Sequence, residues 1–93
     1  MKLRNTKAIS EAEAFFSDRV WYNRHQMLKQ MKEDGKEINE KIWADALKAE
    51  KMLEEKWGED NLAPCDDFEW GMINGKLSAL RWILGDEWDN LDT

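Results

Sequence analysis

Apolar residues recur along this chain at helical rather than alternating spacing, in three stretches. Ser10-Glu11-Ala12-Glu13 has the spacing of a capping box, so a first helix is expected over 11–34, opening near Ser10. Ala14, Phe15, Val20, Trp21, Leu28 and Met31 follow near helical spacing. Lys29 and Lys32 stand where the helix dipole favours cations, and Asp34-Gly35 supplies the stop. A second helix is expected over 37–57. Its stripe is Ile38, Ile42, Ala46, Ala49 or Glu50, Leu53 and Trp57, widened by Trp43, Leu47 and Met52. Glu37 and Lys41 read as an i,i+4 pair on its outer face, and Gly58 closes it. The segment from Glu59 to Cys65 reads as a loop, because Pro64 cannot sit inside a helix and biases Ala63 away from helical geometry. Asp66 then caps a third helix over 67–84, with Glu69 at the reciprocal position. Its core stripe is Trp70, Ile73, Leu77, Leu80 and Leu84, and Gly85 ends it; Asp86 can cap a last short turn in the tail 85–93.

Strand signals are weak: one Val, five Ile and two Thr are all the β-branched residues, and no stretch alternates. The pattern therefore predicts an all-α chain. Three amphipathic helices on short connections read as an antiparallel three-helix bundle, a single helical domain over 1–93 made of a helical hairpin, a third helix and a short C-terminal turn. The alternative is the hairpin with its third helix docked on another copy.

Composition narrows the class. Six Trp, three Phe and one Tyr in 93 residues argue against disorder. One Cys excludes an internal disulfide framework and a Cys-based zinc site. No apolar run approaches the roughly 20 residues that span a bilayer, and no apolar h-region follows the charged start at Lys2, Arg4 and Lys7. A cytoplasmic location with no membrane partner is the expectation. A chain of this size buries only about 60–65% of its unfolded surface, so wide aromatic faces stay partly uncovered.

Net charge is −6 and uneven: residues 1–47 carry nine Lys/Arg against eight Asp/Glu, and residues 48–93 five against twelve. That balance disfavours direct binding to nucleic acid or to an anionic membrane, both of which need a cationic surface. It leaves two readings open, solubility alone or an acidic face turned toward a basic partner.

The least ordinary stretch is Trp70-Gly71-Met72-Ile73-Asn74-Gly75-Lys76-Leu77-Ser78-Ala79-Leu80-Arg81-Trp82. Gly71, Gly75 and Ser78 share a face, and each glycine inside a helix costs about 1 kcal/mol relative to alanine. Close approach of another surface would offset that: either a Trp ring of the same chain filling the groove, or a partner or ligand lying in it. Asn74, Ser78 and Arg81 line up beside the groove, and Trp70 and Trp82 border it. The tail adds Trp88 and Leu91 among acids. These two either fold back over the core or serve as an acid–aromatic docking motif.

The segment Phe68-Glu69-Trp70-Gly71 through Leu84-Gly85-Asp86-Glu87-Trp88-Asp89-Asn90-Leu91-Asp92-Thr93 resembles the C-terminus of small uncharacterised proteins from bacteria and bacteriophages. The resemblance covers about a quarter of the chain. It implies that the C-terminal segment is the working part and that the chain comes from a phage or mobile element.

Catalytic chemistry has little behind it. His25 is the sole histidine, in no metal-ligand spacing, and reads as a surface residue. Cys65 has no base beside it in sequence. Glu50, Glu54 and Glu55 read as a solvated acidic face, and no phosphate-cradling glycine loop is present. The sequence thus points to a non-enzymatic, cofactor-free and metal-free interaction module, an adaptor or inhibitor. Trp70, Gly71, Asn74, Gly75, Ser78, Arg81, Trp82 and Trp88 would form its contact surface. The expected partner is a protein with a basic or apolar groove, and self-association is possible through the same helix. The alternatives are a nucleotide-like ligand held by Trp70 or Trp82 with Asn74, Lys76 and Arg81, or an accessory subunit of a larger complex.

Overall fold

The computed structural model describes residues 1–63 and 66–88. Their regular structure is entirely helical, with no strand among the described residues: α1 (Thr6–Glu33), α2 (Glu40–Trp57), α3 (Glu59–Leu62) and α4 (Asp67–Ile83). The helix starts differ from the expected ones where a second capping residue was available. Asn5 rather than Ser10 opens α1, its Oδ1 accepting from the Ala8 amide at 2.8 Å. Asn39 opens α2, accepting from the amides of Lys41 and Ile42. Glu37 therefore precedes the helix, and its i,i+4 pair with Lys41 has no helical turn to sit on. At α4 the expected cap is present: Asp66 accepts from Glu69 N at 2.8 Å.

Two helix ends have the same cause. After α1, Gly35 lies at φ +99°, Gly35 N donates to Lys32 O and Lys36 N to Met31 O. After α4, Gly85 lies at φ +114°, with Gly85 N donating to Trp82 O and Asp86 N to Arg81 O. This paired arrangement satisfies carbonyls that a helix end would otherwise leave open. The expected loop after Gly58 contains a short helix instead. Glu59 and Asp60 suit a first helical turn, and α3 ends on Leu62, which is fully buried.

The chain divides into two compact units, residues 1–20 with the segment from 64 onward, and residues 21–63. In the first, Val20 of α1 meets Ile73 and Leu77 of α4, and Phe16 and Trp70 pack against them. Arg19 donates to Glu69 at 2.8 Å and Arg81 to Glu13 at 3.2 Å, so α4 runs antiparallel to this half of α1. Of the expected stripe, Ile73 and Leu77 are buried, Trp70 and Leu80 half-buried and Leu84 exposed.

In the second unit the buried residues are Tyr22 and His25 of α1, Glu50 of α2 and Leu62 of α3. The expected α2 stripe is turned inward at Ile38, Ala46, Ala49, Glu50, Leu53 and Trp57, and departs from the expectation at Ile42. Ile42, Leu47 and Met52 are exposed, and α2 turns Glu50 inward with Trp43, Glu54 and Trp57 half-buried around it. The reason lies on α1, where Tyr22, His25 and Lys29 offer hydrogen bonds that carboxylates satisfy and aliphatic groups cannot.

Candidate functional site

The predicted contact residues of α4 fall on two faces. Trp70 packs on the aliphatic core, and Asn74 Nδ2 donates to Trp70 O at 2.9 Å along the helix. Arg81 spans to α1, donating from Nε to Glu13 and from Nη2 to Ser17 Oγ at 3.3 Å. Ser78 is half-buried beside it. Lys76 also reaches back, its ammonium 5.6 Å from the Phe16 ring centroid. The donors proposed for an anionic ligand, Asn74, Lys76 and Arg81, are thus engaged along α4 or on α1.

Gly71, Gly75, Trp82 and Trp88 lie on the other side and are exposed. Among the described residues, no atom outside the adjacent helix backbone comes within 4 Å of where a Cβ would sit on Gly71 or Gly75. The expectation that a ring of the same chain fills this groove is therefore overturned. Packing of α4 on α1 uses Ile73 and Leu77, about half a turn round the helix, and leaves the glycines open. Trp88 does fold back, but onto Trp82: the indoles stack at 5.0 Å and 10°, and both remain about half-exposed. Leu91, the other residue expected to fold back, lies outside the described residues, as does Cys65.

The structure adds residues that the sequence reading left out. Phe68, Met72 and Ile83 are 76%, 44% and 55% exposed, and Trp82 is 49% exposed. Phe68, Met72, Gly75, Ala79 and Trp82 follow one another at spacings of four and three, which places them on a single helical face. α4 is therefore apolar on two opposite sides, one buried and one open. Its signal in the sequence is a second 4-3-4-3 series beside the core stripe.

A second cluster, in the other unit, corrects the reading of His25 and Glu50 as surface groups. His25 is 4% exposed, between Trp21 (centroids 4.9 Å, planes 8° apart) and Trp43 (5.5 Å, 31°). Its Nε2 lies 2.6 Å from Glu50 Oε2, and Lys29 Nζ donates to Glu50 Oε1 at 2.9 Å. Burial alone would favour the protonated acid. The hydrogen bonds from Lys29 and His25, with a weaker polar contribution from Gln26, outweigh it and hold Glu50 below the usual carboxylate range. Lys29 is raised above its ordinary value, because the bond to Glu50 exceeds the opposing effect of burial. Tyr22 donates to Glu54 at 2.7 Å, and burial together with that bond raises its phenol well above the ordinary value. Tyr22, Lys29, His25, Glu50 and Glu54 are joined by these bonds, whereas the buried Gln26 Nε2 beside them has no hydrogen-bond partner among the described residues. Among the described residues no group of three or more His, Cys, Asp or Glu could hold a metal ion.

No helix of the described residues is long and apolar enough to cross a membrane. No family model, curated protein or solved structure matches this chain.

Proposed function

We propose that this chain is a small, acidic, non-enzymatic protein-interaction module of the cytoplasm, an adaptor or inhibitor that engages its partner through α4 and the turn that follows. The supporting observation is the open apolar face of α4. Phe68, Met72, Trp82 and Ile83 stand in solvent along a helix whose opposite side already supplies Ile73 and Leu77 to a core. Single exposed apolar residues are ordinary on a protein surface, but a contiguous row of them marks a contact surface. Tryptophan is the residue type most enriched where interfaces concentrate their energy, so Trp82 and Trp88 are the proposed anchors and the glycines give them a shallow, close-approach floor. An antiparallel three-helix bundle goes with this reading as the arrangement of the long helices. What each unit supplies toward it is one antiparallel pair, α1 with α4 in the first and α1 with α2 in the second.

The test is capture from the native host by the whole chain and by Trp82→Ala and Met72→Glu variants. The reading expects proteins retained by the parent chain to be lost from both variants while helicity is kept. Identical capture by all three would remove α4 as the contact surface.

A further inference from the structure

The open face of α4 is nearly symmetric in side-chain size about Gly75. Phe68 and Trp82 stand seven residues away on either side, and Gly71 and Ala79 four. At about 1.5 Å of rise per residue, a large ring thus stands about 10 Å from a small-residue centre in each direction. In charge the face is not symmetric. Asp66 and Asp67, both exposed, stand at the Phe68 end. Asp86 and Glu87 stand at the Trp82 end, and the antiparallel course of α1 brings Lys2, Arg4 and Lys7 there as well. The other charges of α4 are taken up by α1: Arg81 by Glu13 and Ser17, Glu69 by Arg19, and Lys76 over the Phe16 ring. Among the described residues one end is therefore acidic, and at the other three cations outnumber two acids.

A wholly basic occupant would meet Lys2, Arg4 and Lys7 at one end, and a wholly acidic one would meet Asp66 and Asp67 at the other. The face suits an occupant that carries both signs in the reverse order, and a second copy laid antiparallel about Gly75 does so. Phe68 of each copy then falls beside Trp82 of the other, Gly71 falls beside Ala79, and the two Gly75 backbones have room to approach. Asp66 and Asp67 of each copy come to the end where the other holds Lys2, Arg4 and Lys7, so that three cations stand among four acids. A parallel pair would set each end against its own counterpart, like on like. The area is sufficient as well. Phe68, Met72, Trp82, Ile83 and Trp88 keep between 44% and 76% of their surface in solvent. At about 200 Å² for a whole side chain, that is roughly 550 Å² per copy, and the pair clears the ~1,000 Å² of a small specific interface. Resting on the reading of α4 as a contact surface, we infer that its open face pairs with the same face of a second copy of this chain, antiparallel about Gly75.

The test is sedimentation velocity of the full chain across a concentration series. The chain is expected to pass from monomer to dimer with a dissociation constant of roughly 1–100 µM, as suits an interface of this size. Gly75→Glu and Met72→Glu should each stay monomeric throughout while circular dichroism shows unchanged helicity, and the second variant serves if the first fails to fold. Orientation is read by disulfide trapping in a Cys65→Ser background. A mixture of Gly71→Cys and Ala79→Cys chains should give the mixed disulfide, and neither variant alone should link to itself. Self-linking without the mixed product would overturn the antiparallel pairing. A chain that stays monomeric at every concentration, or a dimer that both Glu variants leave intact, would overturn the inference as a whole. The reading of α4 as a contact surface then stands if Trp82→Ala still removes native capture, and falls with it if that variant changes nothing.

Discussion

Where α4 meets the first half of α1, the buried contacts are aliphatic: Val20, Ile73 and Leu77, with Phe16 and Trp70 over them. Where α2 meets the second half, the buried residues are Tyr22, His25 and Glu50, joined by Leu62 from α3. One continuous helix thus supports two kinds of core. The first gains its stability from area removed from water and is indifferent to protonation. The second has taken a carboxylate out of water and holds it with a lysine and a histidine whose ring two indoles flank, so its stability depends on every partner being present. The first unit has also kept its polar groups at the ends of the helix pair, which frees the far side of α4 for another use.

The difference is open to direct attack. Glu50→Ala should have the largest effect, about 3–5 kcal/mol at neutral pH, because it leaves the buried His25 ring and the Lys29 ammonium without their acceptor. Chemical denaturation followed by circular dichroism would measure it, and a loss below 1 kcal/mol would show that the network is not holding the second unit. Leu77→Ala should cost about 2–5 kcal/mol through lost transfer energy and a cavity, by an amount that does not change with pH.

The pH response separates the units further. Glu50 is held below its unfolded value, so its contribution is fully present above pH 4.5 and is lost as pH falls through its folded value. Lys29 and Tyr22 are raised, so their contributions are fully present below about pH 10 and are lost as pH rises past their ordinary values toward the folded ones. Thermal melts of the parent chain should fall away at both extremes. Tyr22→Phe should lower stability by about 1 kcal/mol at neutral pH and flatten the alkaline limb. A limb unchanged in that variant would assign the alkaline loss to other groups.

The smallest effect has the opposite sign. Gly75→Ala should raise stability by about 0.5–1 kcal/mol, since the added methyl meets nothing within 4 Å and the helix gains propensity. The same change at Gly85, whose φ of +114° suits only glycine, should lower it. If Gly75→Ala proves destabilising in the isolated chain, the open face is not open in solution.

Local rules carried much of the fold. Gly35, Gly58 and Gly85 at the helix ends, the Asp66 cap and the Ile73–Leu77 stripe all follow from chemistry within a few residues. The structure departs from local rules where two signals compete, as between Asn5 and Ser10 for the start of α1, or where a polar residue goes inward. Helical spacing offers position 50 as an inward one, between Ala46 and Leu53, but nothing within a few positions chooses Glu50 over Ala49 or tells that His25 is buried. Their partners are 25 residues apart in the chain, and a carboxylate goes inward only once a specific donor waits for it.

The candidate surface divides in the same way. Two apolar series on α4 were present in the amino acids, as were the glycines between them and the acids at either end. Which series faces α1 could not be read from α4 alone, since both satisfy helical periodicity. The choice came from Val20 and Phe16 meeting Ile73 and Leu77, and from Arg81 and Lys76 finding Glu13, Ser17 and Phe16 across the pair. Helical period is a property of a segment and is written in its residues. The side on which that segment is buried is a property of the pair, because burial is settled by what lies opposite.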